Sequence, residues 1–188
     1  CAVGGYGRRQ LSPFSDIDLL FGYNKKINTK KMKKIVQFFL YPMWDMGLKV
    51  GYAVRNFEEI IFYTKKDHVI KTSLLDARLI CGSSIFFSQI MNSFFKEISN
   101  KTNTFLKQKI DERRKNIIKI GFDYFRNEPN IKESEGSLRD INLIYWSLKI
   151  YSIYKKENAK NSESFLTNFE KNKVKKALEF LMYLRCHI

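Results

Sequence analysis

The stretch that most constrains the fold of this chain lies close to its start. A turn, Gly4-Gly5-Tyr6-Gly7-Arg8, is followed by a polar loop and then by the run Asp16-Ile17-Asp18-Leu19-Leu20-Phe21. The alternation of acidic and apolar residues predicts a β-strand over 16–23, in which residues two apart point to the same face of the sheet. Asp16 and Asp18 would then project together, close enough to hold one or two hard divalent cations.

The glycines of the turn add a second feature that points to the same chemistry. Gly4 and Gly5 have no Cβ, so a phosphate can approach their backbone N–H groups. Taken singly, an Asp-x-Asp pair is common at strand ends, and a Gly-Gly pair is usually only a turn. Their combination is more specific, because ten residues separate Gly5 from Asp16 and Asp18 leads into an apolar strand. A phosphate cradle beside paired acids indicates metal-assisted nucleotidyl transfer.

Length and composition limit the class of protein. With 188 residues, the chain can form one medium domain, or a domain and part of a second. No apolar run reaches the roughly 18 residues of a membrane span, and no signal peptide is visible, so we expect no membrane partner. Cys1, Cys81 and Cys186 are scattered without metal-type spacing, which indicates a reducing cytoplasm. Spacing alone leaves a disulfide open.

The net charge of +15 suggests nucleic acid at first sight. The basic residues are spread along nearly every segment, however, and part of this charge would serve to attract a nucleoside triphosphate. We therefore do not expect a nucleic-acid partner.

Hydrophobic periodicity predicts an α/β part followed by an all-α part. The first part should contain a helix over 30–46 with Thr29 as its cap, a strand over 48–54 and a short helix over 57–63. Residues 67–81 fit either a helix or a strand. Further helices are expected over 84–98, 102–120, 138–155 and 165–187. On the helix over 102–120, the charged run Asp111–Lys115 is interpreted as a solvated face.

The turn and the acidic strand together resemble the signature of the DNA polymerase β-like nucleotidyltransferase superfamily. Three further segments extend the likeness: Leu40–Gly51, Thr72–Arg78, and Glu128–Lys132 with Gly136 and Leu138–Ile141. With these, residues 2–141 resemble the bifunctional PII uridylyltransferase/uridylyl-removing family. The resemblance implies a polymerase β-like nucleotidyltransferase domain with a small mixed sheet over 1–100, followed by an all-α helical domain over 101–188.

The resemblance also implies an activity. It is transfer of UMP from UTP to a tyrosine of the PII signalling protein, with Mg²⁺ as cofactor and in the cytoplasm. Transfer of AMP or another nucleotide to a protein or small acceptor stays open. A domain that binds nucleotide or nucleic acid without turnover is a further alternative, although the intact Asp16 and Asp18 argue against it.

Site residues follow from the same likeness. Asp16 and Asp18 are expected to be catalytic metal ligands. A third catalytic carboxylate is usual in the superfamily; Lys49 occupies one plausible position for it and cannot serve, so Asp76 is the candidate, its alternative being a surface acid paired with Arg78. The expected nucleotide-binding residues are Gly4, Gly5, Arg8, Ser15, Lys132, Arg139 and Asp140, the last three on a loop over 128–140 that we expect to fold back over the nucleotide.

The chain departs from the family pattern in places. Arg9-Gln10 stands where Gly-Glu is expected. His68 and His187 form no His-Asp metal cluster, so we expect the hydrolase and sensing domains of the family to lie outside this chain. Because Cys1 comes almost directly before the turn and the last residues continue an apolar-periodic stretch, we expect a fragment truncated at both ends.

Overall fold

A computed structural model describes residues 1–24, 27–120, 130–157 and 165–187. The chain divides into two compact units, Cys1–Phe94 and Phe95–Ile188. The predicted Glu128–Pro129 motif lies outside the described residues. None of the helices in the described residues combines the length and the apolar character that a membrane crossing requires.

The first unit is built on two strands and the helix that joins them. Strand β1 (Ile17–Tyr23) and strand β2 (Val50–Asn56) pair in parallel, with Asp18 opposite Gly51. Between them lies helix α2 (Thr29–Asp45); the short helix α1 (Gly4–Gly7) precedes β1. We predicted a mixed sheet, and the named strands are parallel instead, because a helical crossover returns the chain in the same direction. Antiparallel pairing is limited here to isolated bridges from Ala2 to Leu19 and Arg78.

The core of the first unit forms where α2 packs on β1. Leu19 and three α2 residues are buried together, namely Met32, Val36 and Leu40. The cap of α2 is Asn28, whose side chain accepts a hydrogen bond from the Lys30 N–H at 2.8 Å, so the prediction of Thr29 was wrong by one residue. Gly47, with φ +75°, lets the chain leave the helix in a left-handed conformation.

Helices α3 (Phe57–Lys66) and α4 (His68–Leu75) follow in the first unit, and α5 (Ser84–Asn100) begins in the first unit and ends in the second. Residues 68–75 are therefore helical. The Asp67 side chain caps α4 by accepting hydrogen bonds from the N–H groups of Val69 and Ile70. After α4 the chain extends, and Arg78 pairs with Ala2 through two backbone hydrogen bonds of 2.8 and 2.9 Å.

The second unit contains helices α6 (Thr102–Ile120), α7 (Leu138–Glu157) and α8 (Asn168–His187). All the regular secondary structure in the described residues of this unit is helical. Its core is apolar, with Ile98, Phe105 and Ile150 at most 1% exposed. Thr167 and Glu170 close the start of α8 by hydrogen-bonding each other's backbone N–H groups. The structure is thus mixed α/β, with a small parallel sheet in the first unit.

Candidate active site

The carboxylate of Asp18 lies between two glycines. A Cβ built on Gly4 would come 2.8 Å from Asp18 Oδ2, and one built on Gly51 would come 3.0 Å from Asp18 Oδ1. Gly4 also has φ +57°, a conformation that glycine adopts without strain. Both oxygens of a half-buried carboxylate therefore lie against backbone that only glycine keeps clear. The sequence singled out Gly4 but not Gly51, whose position depends on the pairing of β2 with β1.

Asp16 directly precedes β1, and its side chain is exposed. Among the described residues, no three acidic, histidine or cysteine side chains come together as a cation-binding group. Mg²⁺ does not need such a cluster, because proteins commonly hold it through one or two carboxylates while substrate phosphates and water supply the other ligands. Asp18, half-buried between the two glycines, and Asp16, exposed directly before β1, supply two carboxylates, the number that this donor set needs. Their assignment as metal ligands stays a prediction.

Asp76 was proposed as a third carboxylate or, alternatively, as a surface acid paired with Arg78. The surface location is wrong, because Asp76 is buried at 7% exposure, where it forms an ion pair with Arg8. Arg8 also donates from Nε to Gln10 Oε1 at 3.0 Å. Asp76 belongs to no three-residue cluster of possible ligands in the described chain. Its catalytic role, like the nucleotide-binding role of Arg8, stays a prediction.

Arg78 contacts the short helix α1, which contains Gly4, Gly5 and Gly7. Its Nη2 donates to the Tyr6 carbonyl at 3.0 Å, and its guanidinium lies 5.3 Å from the centre of the Tyr6 ring. At the same place the backbone of Gly7 comes so close to Asp76 that a Cβ on Gly7 would lie 2.1 Å from the Asp76 carbonyl oxygen. The end of α4 therefore fixes the turn from Tyr6 to Gly7.

This contact predicts that Gly7→Ala destabilises the protein. The added methyl group overlaps backbone, which cannot move aside as a flexible side chain can, so we expect a loss of about 1–3 kcal/mol in the free energy of unfolding. Urea denaturation followed by circular dichroism measures it. Gly47→Ala adds a methyl group into open space at φ +75° and measures the separate cost of a left-handed backbone, which does not apply to Gly7 because its φ is not positive. A Gly7→Ala loss well below about 1 kcal/mol would contradict the contact.

The loop between α1 and β1 contains Ser15, another predicted nucleotide ligand. Its N–H donates to the Ser12 carbonyl at 3.1 Å, which closes a turn with Pro13 and Phe14 at its centre. The Ser15 side chain is half-buried, and its proposed contact with the nucleotide stays a prediction.

Of the three predicted nucleotide ligands of the second unit, Lys132 lies on the loop before α7, whereas Arg139 and Asp140 lie in the first turn of α7, so the predicted loop over 128–140 ends earlier than expected. Lys132 is exposed. Arg139 binds Glu133 through Nε, at 3.0 and 3.2 Å from the two carboxylate oxygens. Asp140 accepts the Gly136 N–H at 2.7 Å and binds Arg113. Contacts within the second unit thus engage Arg139 and Asp140, and the nucleotide-binding assignments stay predictions.

Arg113 organises this loop, and the prediction that it belongs to a solvated face was wrong. It is only 8% exposed. Its guanidinium donates to both carboxylate oxygens of Asp140, at 2.5 and 2.9 Å, and to the carbonyls of Glu133 and Ser134, at 2.7 and 2.6 Å. Those partners lie 20 to 27 residues further along the chain, which the helical periodicity of α6 does not reveal.

The interaction between Arg113 and Asp140 stabilises the charged form of both side chains. Burial would raise the pKa of Asp140, but the hydrogen bonds from Arg113 and from the Gly136 N–H outweigh it, and the pKa is lowered. The hydrogen bond to Asp140 correspondingly raises the pKa of Arg113. The pair therefore stays ionised over the neutral range.

Comparison with known proteins shows which proteins this chain is similar to in sequence. The chain is 37% identical over its whole length to a bifunctional uridylyltransferase/uridylyl-removing enzyme of Azospirillum brasilense. It is 36% identical, again over its whole length, to the protein of the same name from Phenylobacterium zucineum (strain HLK1). The family resemblance is confirmed. In both cases the chain spans 20% of the length of the relative.

A model of the family described as GlnD PII-uridylyltransferase matches residues 104–188. That match falls within the second unit and includes Arg113 and its loop. The similarity to the two uridylyltransferase/uridylyl-removing enzymes also covers the first unit, with Asp16 and Asp18. No solved structure matches the chain significantly.

Arg9, at a position where the sequence analysis expects glycine, has a backbone conformation that suits glycine. The backbone of Arg9 has φ +61°, and its side chain is exposed. A left-handed conformation costs a residue with a Cβ about 1–2 kcal/mol. The backbone at Arg9 is thus strained by the presence of a Cβ.

Arg9→Gly is therefore expected to stabilise the protein by about 1 kcal/mol. The gain is smaller than the full strain because glycine also has more freedom in the unfolded chain. The midpoint of urea denaturation measures it, and Arg9→Ala, which keeps a Cβ at the same φ, is the matched control. Equal midpoints for the glycine and alanine variants would show that the backbone of Arg9 is not strained.

Proposed function

We propose that this chain carries a polymerase β-like nucleotidyltransferase site that transfers UMP from UTP to a tyrosine of the PII signalling protein. The observation that supports it most is similarity along the whole chain to enzymes named uridylyltransferases, combined with a carboxylate held between two glycines at the start of a strand. Since the chain spans a fifth of these relatives, the activity of the complete protein is part of the proposal.

In this reaction the tyrosine oxygen bonds to the α-phosphorus of UTP, the bond to pyrophosphate breaks, and the phenolic proton is lost. Asp16 and Asp18 would hold Mg²⁺, which supplies positive charge to the phosphate oxygens. Gly4 lies against the same carboxylate, and the N–H groups of Gly4 and Gly5 are the proposed donors to the phosphate. Arg8 and Ser15 lie on the adjoining loop and are proposed to contact the nucleotide.

In the second unit, the proposed nucleotide-binding residues are still Lys132, Arg139 and Asp140. Each would act in a different way. Lys132 has an exposed ammonium group suited to phosphate. Arg139 would have to exchange its carboxylate partner, Glu133, for a phosphate oxygen. Asp140 would act indirectly, by keeping the Arg113-centred loop in shape.

The proposed setting is the cytoplasm. The three cysteines, Cys1, Cys81 and Cys186, are free thiols in the structure, which suits a reducing compartment. UTP and PII are the proposed substrates, and neither a membrane nor a nucleic acid takes part in this chemistry. The surplus of positive charge would favour the approach of UTP.

The test is incubation of the full-length protein with PII, Mg²⁺ and either α-labelled UTP or α-labelled ATP. Label on PII from UTP, abolished by a chelator and absent with a PII variant that lacks the acceptor tyrosine, is the expected result. Label only from ATP would make the enzyme an adenylyltransferase. Nucleotide binding without label transfer would mean that the site does not turn over.

A further inference from the structure

Phe14 is the most exposed large apolar residue in the described chain. Its relative exposure is 97%, while the next phenylalanine, Phe38 on α2, is 74% exposed. A phenyl ring at that exposure packs against almost nothing in its own protein. Single exposed apolar residues are common on protein surfaces, so exposure alone does not indicate a role.

The backbone of Phe14 makes its position harder to explain by folding. Its φ is +60°, and it follows Pro13 in the turn closed by the hydrogen bond from Ser15 N–H to the Ser12 carbonyl. Proline followed by a residue with positive φ is the pattern of a type II turn, in which glycine or asparagine is the favoured second central residue. A bulky side chain in this conformation is an outlier. Neither packing nor backbone preference accounts for the phenylalanine.

The place of Phe14 in the chain connects it with the proposed site. It lies two residues before Asp16, so their Cα atoms are within about 7 Å of each other. Phe14 and Asp16 are therefore neighbours on the same exposed stretch of chain directly before β1. A protein whose hydroxyl comes to Asp16 also comes within reach of Phe14.

We propose that Phe14 anchors the protein acceptor, by inserting into an apolar pocket on that protein beside the hydroxyl that is to be modified. This inference rests on the proposed transfer to a protein. A ring that projects freely can enter a pocket on a partner, as the aromatic anchors of protein interfaces do. A platform for a nucleobase would instead lie against its own protein, with one face covered.

The exposed Arg9 indicates a second property of the protein acceptor, which is its surface charge. Arg9 is exposed on the same loop, five residues before Phe14, and the protein carries a net charge of +15. An acceptor with acidic groups around its apolar pocket would complement this loop in charge as well as in shape. The acceptor surface is thus expected to be apolar at its centre and acidic at its edge.

The test compares Michaelis constants in the full-length protein, with UTP, Mg²⁺ and PII as substrates. Phe14→Ala keeps the Cβ, and with it the backbone preference, and removes only the ring. We expect its KM for PII to rise at least about tenfold while its KM for UTP stays unchanged. Phe14→Trp should restore most of the affinity for PII. Phe38→Ala, which removes an exposed ring from α2, should change neither constant.

The charge of Arg9 is tested separately. Arg9→Gln should weaken the dependence of the KM for PII on salt concentration.

The outcomes separate this inference from the proposed function. A rise in the KM for UTP, with the KM for PII unchanged, would show that Phe14 contacts the nucleotide and would overturn the inference. Unchanged constants for both substrates would overturn it as well, and in either case the uridylyl transfer itself would stand. Absence of transfer by the wild-type protein would overturn the proposed function and this inference together.

Discussion

Asp18→Asn is expected to lower the kcat of nucleotidyl transfer by about a thousandfold or more while the protein stays folded. The amide has the shape of the carboxylate, so it fits between Gly4 and Gly51, where the Asp18 oxygens now lie. It lacks the negative charge that the proposed metal ligand contributes, and such a loss costs several kcal/mol of transition-state stabilisation. Turnover of labelled UTP with PII at saturating Mg²⁺ gives the effect, and circular dichroism reports on the fold.

Asp45→Asn provides the matched control. Asp45 is an exposed acid at the end of α2, in the same unit, so the same chemical change there should leave kcat within about twofold. Asp16→Asn should resemble Asp18→Asn, because both carboxylates are assigned to the metal. If folded Asp18→Asn retains kcat within tenfold of the wild type, Asp18 is not a metal ligand.

Local sequence patterns predicted most of the helices and strands. The helix over 102–120 was predicted with the bounds it has, and β1 and β2 lie within two residues of their predicted ranges. These elements carry periodic apolar residues, which are local information. The ambiguity over residues 67–81 was settled by the Asp67 cap at one end and by the pairing of Arg78 with Ala2 at the other.

The same local patterns could not predict contacts between residues that lie far apart in the sequence. Asp76 pairs with Arg8, 68 residues away, and Arg113 with Asp140, 27 residues away. A charged residue on an amphipathic helix gives the same sequence signal whether its partner is water or a buried carboxylate. The left-handed backbone of Phe14 could not be predicted from the sequence either, because neither phenylalanine nor its position after proline predicts a positive φ. The alternation of acidic and apolar residues singled out Asp16 and Asp18, whereas only the fold placed Gly51 against Asp18.

Arg113→Ala should be among the most destabilising single changes in the second unit, with an expected loss of about 3 kcal/mol in the free energy of unfolding. It would leave the Glu133 and Ser134 carbonyls without this donor, and it would leave Asp140 charged in a half-buried place. Removing one member of a buried ion pair typically costs about 3–5 kcal/mol. The lower end applies because the Asp140 side chain is 28% exposed. Urea denaturation of the wild type and variant measures the difference.

Arg114→Ala is the control, since it removes the same kind of side chain from the next position of α6. Its side chain is 74% exposed and forms an ion pair with Asp111 at 4.0 Å, so we expect a change within about 0.5 kcal/mol.

The pH dependence of stability gives a second check of the Arg113–Asp140 pair. Because Arg113 lowers the pKa of Asp140, their pairing stabilises the folded state above the ordinary pKa of the carboxyl, and this stability is lost as the pH falls through the lowered value. The alanine variant should lose less stability on acidification than the wild type. Equal losses for Arg113→Ala and Arg114→Ala at neutral pH would show that the buried guanidinium does not hold the loop.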